Sequence, residues 1–178
     1  MKKIFFVSLI VLLTATVFFL AHKELSLAQQ FPFIEVEELI GSNAPDFALK
    51  DLDGRNVTFS SFRGKTILLN FWATWCPYCR QERASLNNLY KKFKSRDFQI
   101  VAVSVDRSVS KVKKFLIKNP AEFVILSDTE REAAAPYNVT GLPTSYLIDR
   151  EGVIRHKYVG MKDWSGSGSI KQIETLLK

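Results

Sequence analysis

Residues 71–82 are Phe71-Trp72-Ala73-Thr74-Trp75-Cys76-Pro77-Tyr78-Cys79-Arg80-Gln81-Glu82. This stretch contains the only two cysteines of the 178-residue chain, Cys76 and Cys79. A disulfide that closes so short a loop stabilises a protein by only about 2 kcal/mol, and a closed structural zinc site needs four ligands. The pair is therefore predicted to be a dithiol that is oxidised and reduced during function.

The residues around the dithiol predict a strand that runs into a helix. Thr66–Trp72 is nearly continuously apolar, which is typical of a buried strand, and Pro77–Lys94 has the pattern of an amphipathic helix. Proline suits the first helical position because it has no N–H to leave unpaired, so Cys76 is placed at the helix N-terminus, where a thiolate is favoured. We expect Cys76 to be the exposed nucleophile of low pKa and Cys79 the shielded thiol that resolves a mixed disulfide.

Glu82 is the next candidate catalytic residue. It lies on the apolar stripe of the predicted helix, one turn beyond Cys79 and on the same side. A carboxylate that faces a core has a raised pKa and can exchange protons near neutral pH. We therefore predict that Glu82 moves a proton to and from Cys79. The alternative is an exposed glutamate paired with Arg80 or Arg83.

The rest of the pattern predicts alternating strands and helices. In chain order these are a hairpin of Phe47–Lys50 and Asn56–Phe59, a strand at Phe98–Val105, a helix at Val109–Lys118, a strand at Phe123–Leu126, a short helix at Glu130–Ala135, a hairpin of Ser145–Ile148 and Val153–Val159, and a helix at Gly168–Leu177. With the dithiol segment, this order predicts an α/β sandwich that combines a βαβ unit with a ββα unit.

The N-terminus predicts a membrane anchor. Lys2 and Lys3 precede the uncharged run Ile4–Ala21, about 27 Å long as a helix and close to the roughly 30 Å hydrocarbon core. A cleaved signal peptide is the alternative, although Ser26-Leu27-Ala28 is a weak cleavage site. Positive charge before the span places the rest outside the cytoplasm, where disulfides persist. We expect an anchor over 1–21, a linker over 22–40 and one domain over 41–178.

The formal net charge of +7 comes from scattered lysines and arginines and predicts a solvated basic surface. Attraction to anionic lipid headgroups beside the anchor is the alternative. Nucleic acid is not an expected partner outside the cytoplasm. His156 alternates with apolar residues of a predicted strand, which indicates a solvated position.

Residues 71–82 resemble the active-site segment of the TlpA/ResA-like thioredoxin family, whose members are membrane-tethered, extracytoplasmic thiol-disulfide oxidoreductases. The likeness extends over most of residues 41–178. Further matching segments occur in the family's order: Ala44–Phe47 at its opening, Val101–Asp106 at its second core strand, Gly141–Thr144 at its cis-proline loop and Gly160–Trp164 near its end. The resemblance implies a thioredoxin-like three-layer α/β/α sandwich with an N-terminal β-hairpin and an inserted helix.

The resemblance also implies a substrate-binding surface. It places Pro143, in the cis form, beside the dithiol, where the backbone of Leu142 can pair with an extended substrate segment. Trp75, Pro77 and Tyr78 are expected to complete this surface.

Two comparisons with the family concern Glu82 and its neighbours. Glu82 matches the family's acidic residue on the active-site helix, and Asn70 stands where ordinary thioredoxin has a buried aspartate, which leaves Glu82 as the titrating acid of the site. Arg83-Ala84 departs from the Met-Pro or Phe-Pro that commonly follows this acid in the family.

The implied activity is thiol-disulfide exchange with protein substrates, in the reducing direction, for example on the haem-binding cysteines of apocytochrome c. A membrane thiol-disulfide donor would supply electrons; no cofactor beyond the Cys76–Cys79 disulfide, no metal, and a monomer are expected. A general disulfide oxidase or isomerase is the alternative. A peroxiredoxin would carry proline and threonine where this chain has Leu69 and Ala73. A copper chaperone of the Sco type would need a Cys-x-x-x-Cys spacing and a distant histidine, for which His156 is the candidate.

Overall fold

Seven strands and three α-helices follow one another in residues 39–178, the part of the chain that the computed structural model describes. The strands are β1 Ala48–Asp51, β2 Asn56–Thr58, β3 Thr66–Trp72, β4 Phe98–Ser104, β5 Val124–Ser127, β6 Thr144–Ile148 and β7 Ile154–Val159. The helices are α1 Pro77–Phe93, α2 Val109–Lys118 and α3 Ser167–Leu176, and a short 3-10 helix, Phe59–Phe62, follows β2.

The strands form one mixed sheet in the order β2-β1-β5-β4-β3-β6-β7. The central strands β3, β4 and β5 are parallel, whereas β1 runs antiparallel to β5 and β6 antiparallel to β3. Every residue of β3 is buried, as expected for a central strand that is covered on both faces, and its sequence is accordingly apolar except for Thr66 and Asn70. The predicted hairpins at the two ends of the domain are confirmed as β1–β2 and β6–β7.

The two faces of the sheet are covered differently. One face packs against all three α-helices, through residues such as Leu86 of α1, Val112 of α2 and Ile173 of α3. The other face packs against Phe47, the 3-10 helix and a segment of turns over residues 129–138. The predicted α/β/α sandwich is therefore wrong for its second outer layer, which contains no α-helix within residues 39–178.

The short helix predicted at Glu130–Ala135 is one reason for that difference, because these residues form turns. Arg131 has a φ of 62°, a left-handed conformation that an α-helix of L-residues does not tolerate. The carboxylate of Asp128 accepts a 2.8 Å hydrogen bond from the backbone N–H of Ala134, which stabilises the turn instead. The apolar side chains of the segment still reach the core.

Within residues 39–178 no helix has the length and apolar character needed to cross a membrane. The predicted anchor, Ile4–Ala21, and the linker as far as residue 38 lie outside the described residues.

Candidate active site

The two cysteines lie where β3 leads into α1, and they form a disulfide. Cys76 is the N-cap of α1, with extended backbone, and Pro77 is the first helical residue. The Sγ atom of Cys76 accepts a 3.2 Å hydrogen bond from the backbone N–H of Cys79. The predicted position of Cys76 at the helix N-terminus is confirmed, and there the helix dipole and unpaired N–H groups favour a thiolate.

The exposure predicted for Cys76 is wrong in this disulfide form. Cys76 and Cys79 are each only 3% exposed, because both pack into the apolar cluster between the sheet and the helices. The two sulfurs differ in another way: Cys76 lines a surface groove, and Cys79 does not. The groove therefore distinguishes the two cysteines where exposure does not.

This groove has a volume of about 690 Å³ and contains most of the predicted substrate-binding residues. Trp75, Pro77, Tyr78 and Leu142 line it together with Cys76. Trp75 and Tyr78 are 65% and 59% exposed, so much of the apolar surface of both rings is open to solvent at the groove.

The Leu142–Pro143 peptide bond is cis, as the family resemblance implies. Pro143 itself is buried and does not line the groove, and its carbonyl accepts a 2.8 Å hydrogen bond from the N–H of Gly160. The backbone groups of Leu142 make no backbone hydrogen bond within residues 39–178. Leu142 therefore offers a free donor and acceptor at the wall of the groove.

Glu82 faces the interior, which confirms the core-facing interpretation and shows that the surface-pair alternative is wrong. Its side chain is 2% exposed. Its Oε1 atom accepts a 2.6 Å hydrogen bond from Trp164 Nε1 and a 3.2 Å bond from the backbone N–H of Lys162. The amide of Asn70 lies 3.4 Å from Oε2. Three donors thus converge on one buried carboxylate.

Burial raises the pKa of Glu82 from 4.5 to about 7, because a charged carboxylate loses its hydration there. The hydrogen bonds from Trp164, Lys162 and Asn70 act in the opposite direction, as does the positive charge of Arg83. The balance leaves the carboxyl group near half ionisation at neutral pH, where it can both take and release a proton.

Trp164 and Lys162 were assigned no role by sequence reasoning, although their segment was recognised as part of the family resemblance. They lie about eighty residues from Glu82 in the chain. Asn70 also donates a 2.9 Å hydrogen bond to Ser145 Oγ, which holds its amide beside Glu82. A buried tryptophan N–H usually needs an acceptor, but no local pattern identifies Glu82 as that acceptor.

Arg83, which departs from the family pattern, lies close to α2, with its guanidinium carbon 5.8 Å from the ring centroid of Phe115. It is 6% exposed, its guanidinium carbon is 4.0 Å from the ring centroid of Trp72, and burial lowers its pKa to about 10. Its Nε and Nη1 atoms have no hydrogen-bond partner. The side chain is thus held by cation–π contact rather than by an ion pair.

The loop before the dithiol is tied to the neighbouring strand by Asp106. This buried carboxylate accepts hydrogen bonds of 2.8 and 2.6 Å from the backbone N–H and hydroxyl of Thr74, and one of 2.8 Å from Ser104 Oγ. It thereby fixes the approach of the chain to Cys76.

His156 does not line the groove. It is half-buried on β7 rather than fully solvated as predicted, with its ring 6.1 Å from that of Tyr158. Within residues 39–178 no three His, Cys, Asp or Glu side chains are grouped so as to hold a metal ion.

Comparison with known proteins identifies related sequences. Residues 40–157 match the AhpC/TSA family. The chain is 35% identical over 139 residues to the thiol-disulfide oxidoreductase ResA of Bacillus thuringiensis subsp. konkukian, which covers 78% of this chain and 77% of that protein. It is 41% identical over 114 residues to ResA of Bacillus subtilis, which covers 64% of each.

Solved structures of thiol-disulfide oxidoreductases are also similar to this chain. A Chlorobium tepidum protein assigned as the thiol:disulfide interchange protein DsbE superimposes with a TM-score of 0.74 and 38% identity, over 78% of this chain and 98% of that one. The thioredoxin domain of a thiol-disulfide oxidoreductase from Bacteroides vulgatus gives 0.70 and 29%, over 78% and 98%.

Proposed function

Because the chain belongs to the AhpC/TSA family and is a thiol-disulfide oxidoreductase with a thioredoxin-like fold, we propose that it reduces disulfides of proteins outside the cytoplasm. The haem-binding cysteines of apocytochrome c are the proposed example, with electrons supplied by a membrane thiol-disulfide donor. The observation that carries the exchange chemistry is that Cys76 lines the groove while Cys79 and Glu82 do not. The reducing direction rests on the family resemblance.

The reduced enzyme would act in two steps. The Cys76 thiolate attacks one sulfur of the substrate disulfide, forms a mixed disulfide and releases the other sulfur as a thiolate. Cys79, once deprotonated, attacks the Cys76 sulfur, which releases the second substrate thiolate and forms the Cys76–Cys79 disulfide. Two electrons pass from the enzyme dithiol to the substrate. The donor then reduces the enzyme disulfide.

Glu82 is the proposed acceptor of the Cys79 proton. It lies one helical turn beyond Cys79 on α1, and its pKa of about 7 leaves a substantial ionised fraction at neutral pH. No cofactor other than the cysteine pair is proposed.

The substrate would lie along the groove in an extended conformation. The free backbone groups of Leu142 suit pairing with a substrate strand, while Trp75 and Tyr78 offer exposed apolar surface in the groove that Cys76 lines.

The redox potential of the Cys76–Cys79 pair tests the direction. Related dithiols span about −270 to −120 mV. Equilibration of the purified domain with glutathione or thioredoxin buffers should give a potential near the reducing end of that range. A potential near the oxidising end would indicate an oxidase or isomerase instead.

Trapping tests the order of attack. Cys79→Ser should accumulate a mixed disulfide between Cys76 and the substrate, visible by non-reducing electrophoresis and mass spectrometry, because no thiol remains to resolve it. Cys76→Ser is the matched control and should accumulate none. The reverse result would exchange the proposed roles.

The location outside the cytoplasm, with 1–21 as the anchor, is also a proposal. Its test is protease treatment of intact spheroplasts with an antibody to the C-terminus, together with the mass of the mature protein. Protection from protease would contradict it, and a shortened mass would indicate a cleaved signal peptide.

The family match raises one competing activity, peroxide reduction. The position where a peroxiredoxin has its threonine is the fully buried Ala73, which has no hydroxyl to position a peroxide. We expect the reduced protein to consume hydrogen peroxide no faster than an ordinary dithiol. Rapid, catalytic peroxide consumption would replace the proposal.

A further inference from the structure

We propose that the active-site groove selects substrate segments that carry acidic side chains beside the reactive cysteine. This inference deepens the proposed function and rests on it. Three cations, Arg107, Lys111 and Arg131, line the same groove as Cys76 and the exposed aromatic residues.

The three cations have no ionic partner within the protein. All are exposed, and none has a carboxylate within ion-pair distance in residues 39–178. Some other exposed lysines are paired: Lys94 lies 2.9 Å from Glu122, and Lys113, on the same helix as Lys111, lies 3.9 Å from Asp53. The three cations of the groove have no such partner and can bind an anionic one.

No exposed carboxylate is present among the described residues that line the groove. Asp106 is the one acidic residue among the lining residues that the structure describes. Its two oxygens are already occupied by the three hydrogen bonds from Thr74 and Ser104, and it is 2% exposed. The accessible charge of the groove is therefore positive.

The guanidinium group of Arg131 is anchored at the groove by a hydrogen bond to Val139. The φ of Arg131, 62°, is unusual for a residue other than glycine, and strain of this kind concentrates at functional sites. Its Nη2 atom donates a 2.7 Å hydrogen bond to the carbonyl of Val139, another residue of the groove. The remaining guanidinium N–H groups can donate to a carboxylate.

The acidic neighbours of Arg131 lie elsewhere. Glu130 and Glu132 line a separate cavity with residues of β1 and β2, not the groove. The turn segment therefore separates its charges, with the arginine toward the groove and the glutamates away from it.

The effect should appear mainly in substrate capture. Attraction between exposed charges is modest for each pair, acts largely on association, and is screened by salt. An acidic segment should thus lower KM at low salt, with little change in kcat.

The test uses three peptides with one intramolecular disulfide, identical except for glutamate, glutamine or lysine beside the cysteines. At low ionic strength the full chain, reduced with dithiothreitol, should show kcat/KM about tenfold higher for the glutamate than for the lysine peptide, from two or three such pairs. The ratio should approach one in about 1 M salt, where the Debye length is about 3 Å.

Substitutions that remove the positive charges of the groove are the second part of the test. The Arg107→Gln/Lys111→Gln double variant and Arg131→Asn, which keeps a residue tolerant of positive φ, should each reduce that ratio. Lys114→Gln, an exposed lysine of α2 outside the groove, should preserve it. Because the double variant leaves the Arg131 turn intact, a folding defect in Arg131→Asn does not decide the outcome.

The neutral substrate hydroxyethyl disulfide separates this inference from the proposed function. Two outcomes overturn the acidic-segment inference alone. In the first, hydroxyethyl disulfide is turned over but the protein shows no preference among the three peptides. In the second, the preference survives in the double variant. Failure to reduce hydroxyethyl disulfide and all three peptides overturns the proposed function and this inference with it.

Discussion

The indole Nε1 of Trp164 donates a 2.6 Å hydrogen bond to Oε1 of Glu82, and both side chains are almost completely buried. A neutral donor stabilises the ionised carboxylate without cancelling its charge, so the pKa of Glu82 stays near 7 rather than rising further. The loop before α3 thus supplies hydrogen-bond donors to Glu82, the proposed proton acceptor on α1.

Replacement of Glu82 by glutamine should remove a pH dependence of stability. The folded-state pKa of Glu82, about 7, lies above its unfolded value of 4.5. The stability that this carboxyl group contributes is therefore present below pH 4.5 and is lost as the pH rises through about 7. Glu82→Gln should gain about 3 kcal/mol relative to the native protein between pH 4.5 and 8.

Denaturant unfolding at several pH values measures this difference, and exchange kinetics test the catalytic role of the same group. The native rate should have an inflection near pH 7 that Glu82→Gln lacks. If the native protein and Glu82→Gln show the same pH dependence of stability, the raised pKa of Glu82 is contradicted. If their pH–rate profiles are the same, its role in proton transfer is contradicted.

Replacement of Trp164 by phenylalanine should raise the pKa of Glu82 above about 7, because the ionised form loses its shortest hydrogen bond. Loss of a hydrogen bond to a charged group costs about 1.5–3 kcal/mol, so Trp164→Phe should be more destabilising at pH 8 than at pH 5. Carbon NMR of labelled glutamate measures the midpoint directly. Tyr158→Phe, which removes a bond to Gln172 instead, should leave that midpoint in place.

An acidic residue at position 70 should create a coupled pair of carboxyl groups. The Asn70 amide lies 3.4 Å from Glu82 Oε2, and two carboxylates so close cannot both ionise cheaply. Asn70→Asp should therefore destabilise the protein more at pH 8 than at pH 5. Asn70→Ala, which removes the amide without adding charge, should show a much smaller pH effect. Equal losses for Asn70→Asp at both pH values would argue against coupling.

Removal of the buried charge at Arg83 should affect titration more than stability. Arg83 lowers the pKa of Glu82 through its positive charge, and two of its nitrogens are unpaired. Arg83→Met relieves that desolvation but loses the contact with Trp72, so we expect a net stability change within about 1 kcal/mol. The inflection near pH 7 should move upward.

The exposed Arg80 offers a matched control on the same helix, since Arg80→Met should leave both properties unchanged. A strong destabilisation of Arg83→Met with no change in the pH profile would indicate that the stacking on Trp72 dominates.

Most of the secondary structure could be predicted because its signals are local. The apolar run of β3, the proline after Cys76 and the apolar stripe of α1 act within a few residues of each other. The turns at 129–138 could not be predicted in this way, because hydrophobic periodicity carries no information about the left-handed backbone conformation of Arg131. Without that helix, the third layer contains only the 3-10 helix, Phe47 and turns within residues 39–178.

Local sequence signals predict the dithiol, its place at a helix N-terminus and the inward direction of Glu82, since each follows from contacts within one or two turns of chain. The identity of the groups around Glu82 and around the groove depends instead on tertiary packing. Asn70 and Ser145 face each other through the β3–β6 register, and Trp164 reaches Glu82 from a distant loop. The burial of Cys76 and the convergence of Arg107, Lys111 and Arg131 on its groove likewise depend on how strands and loops pack, which no spacing along the chain specifies.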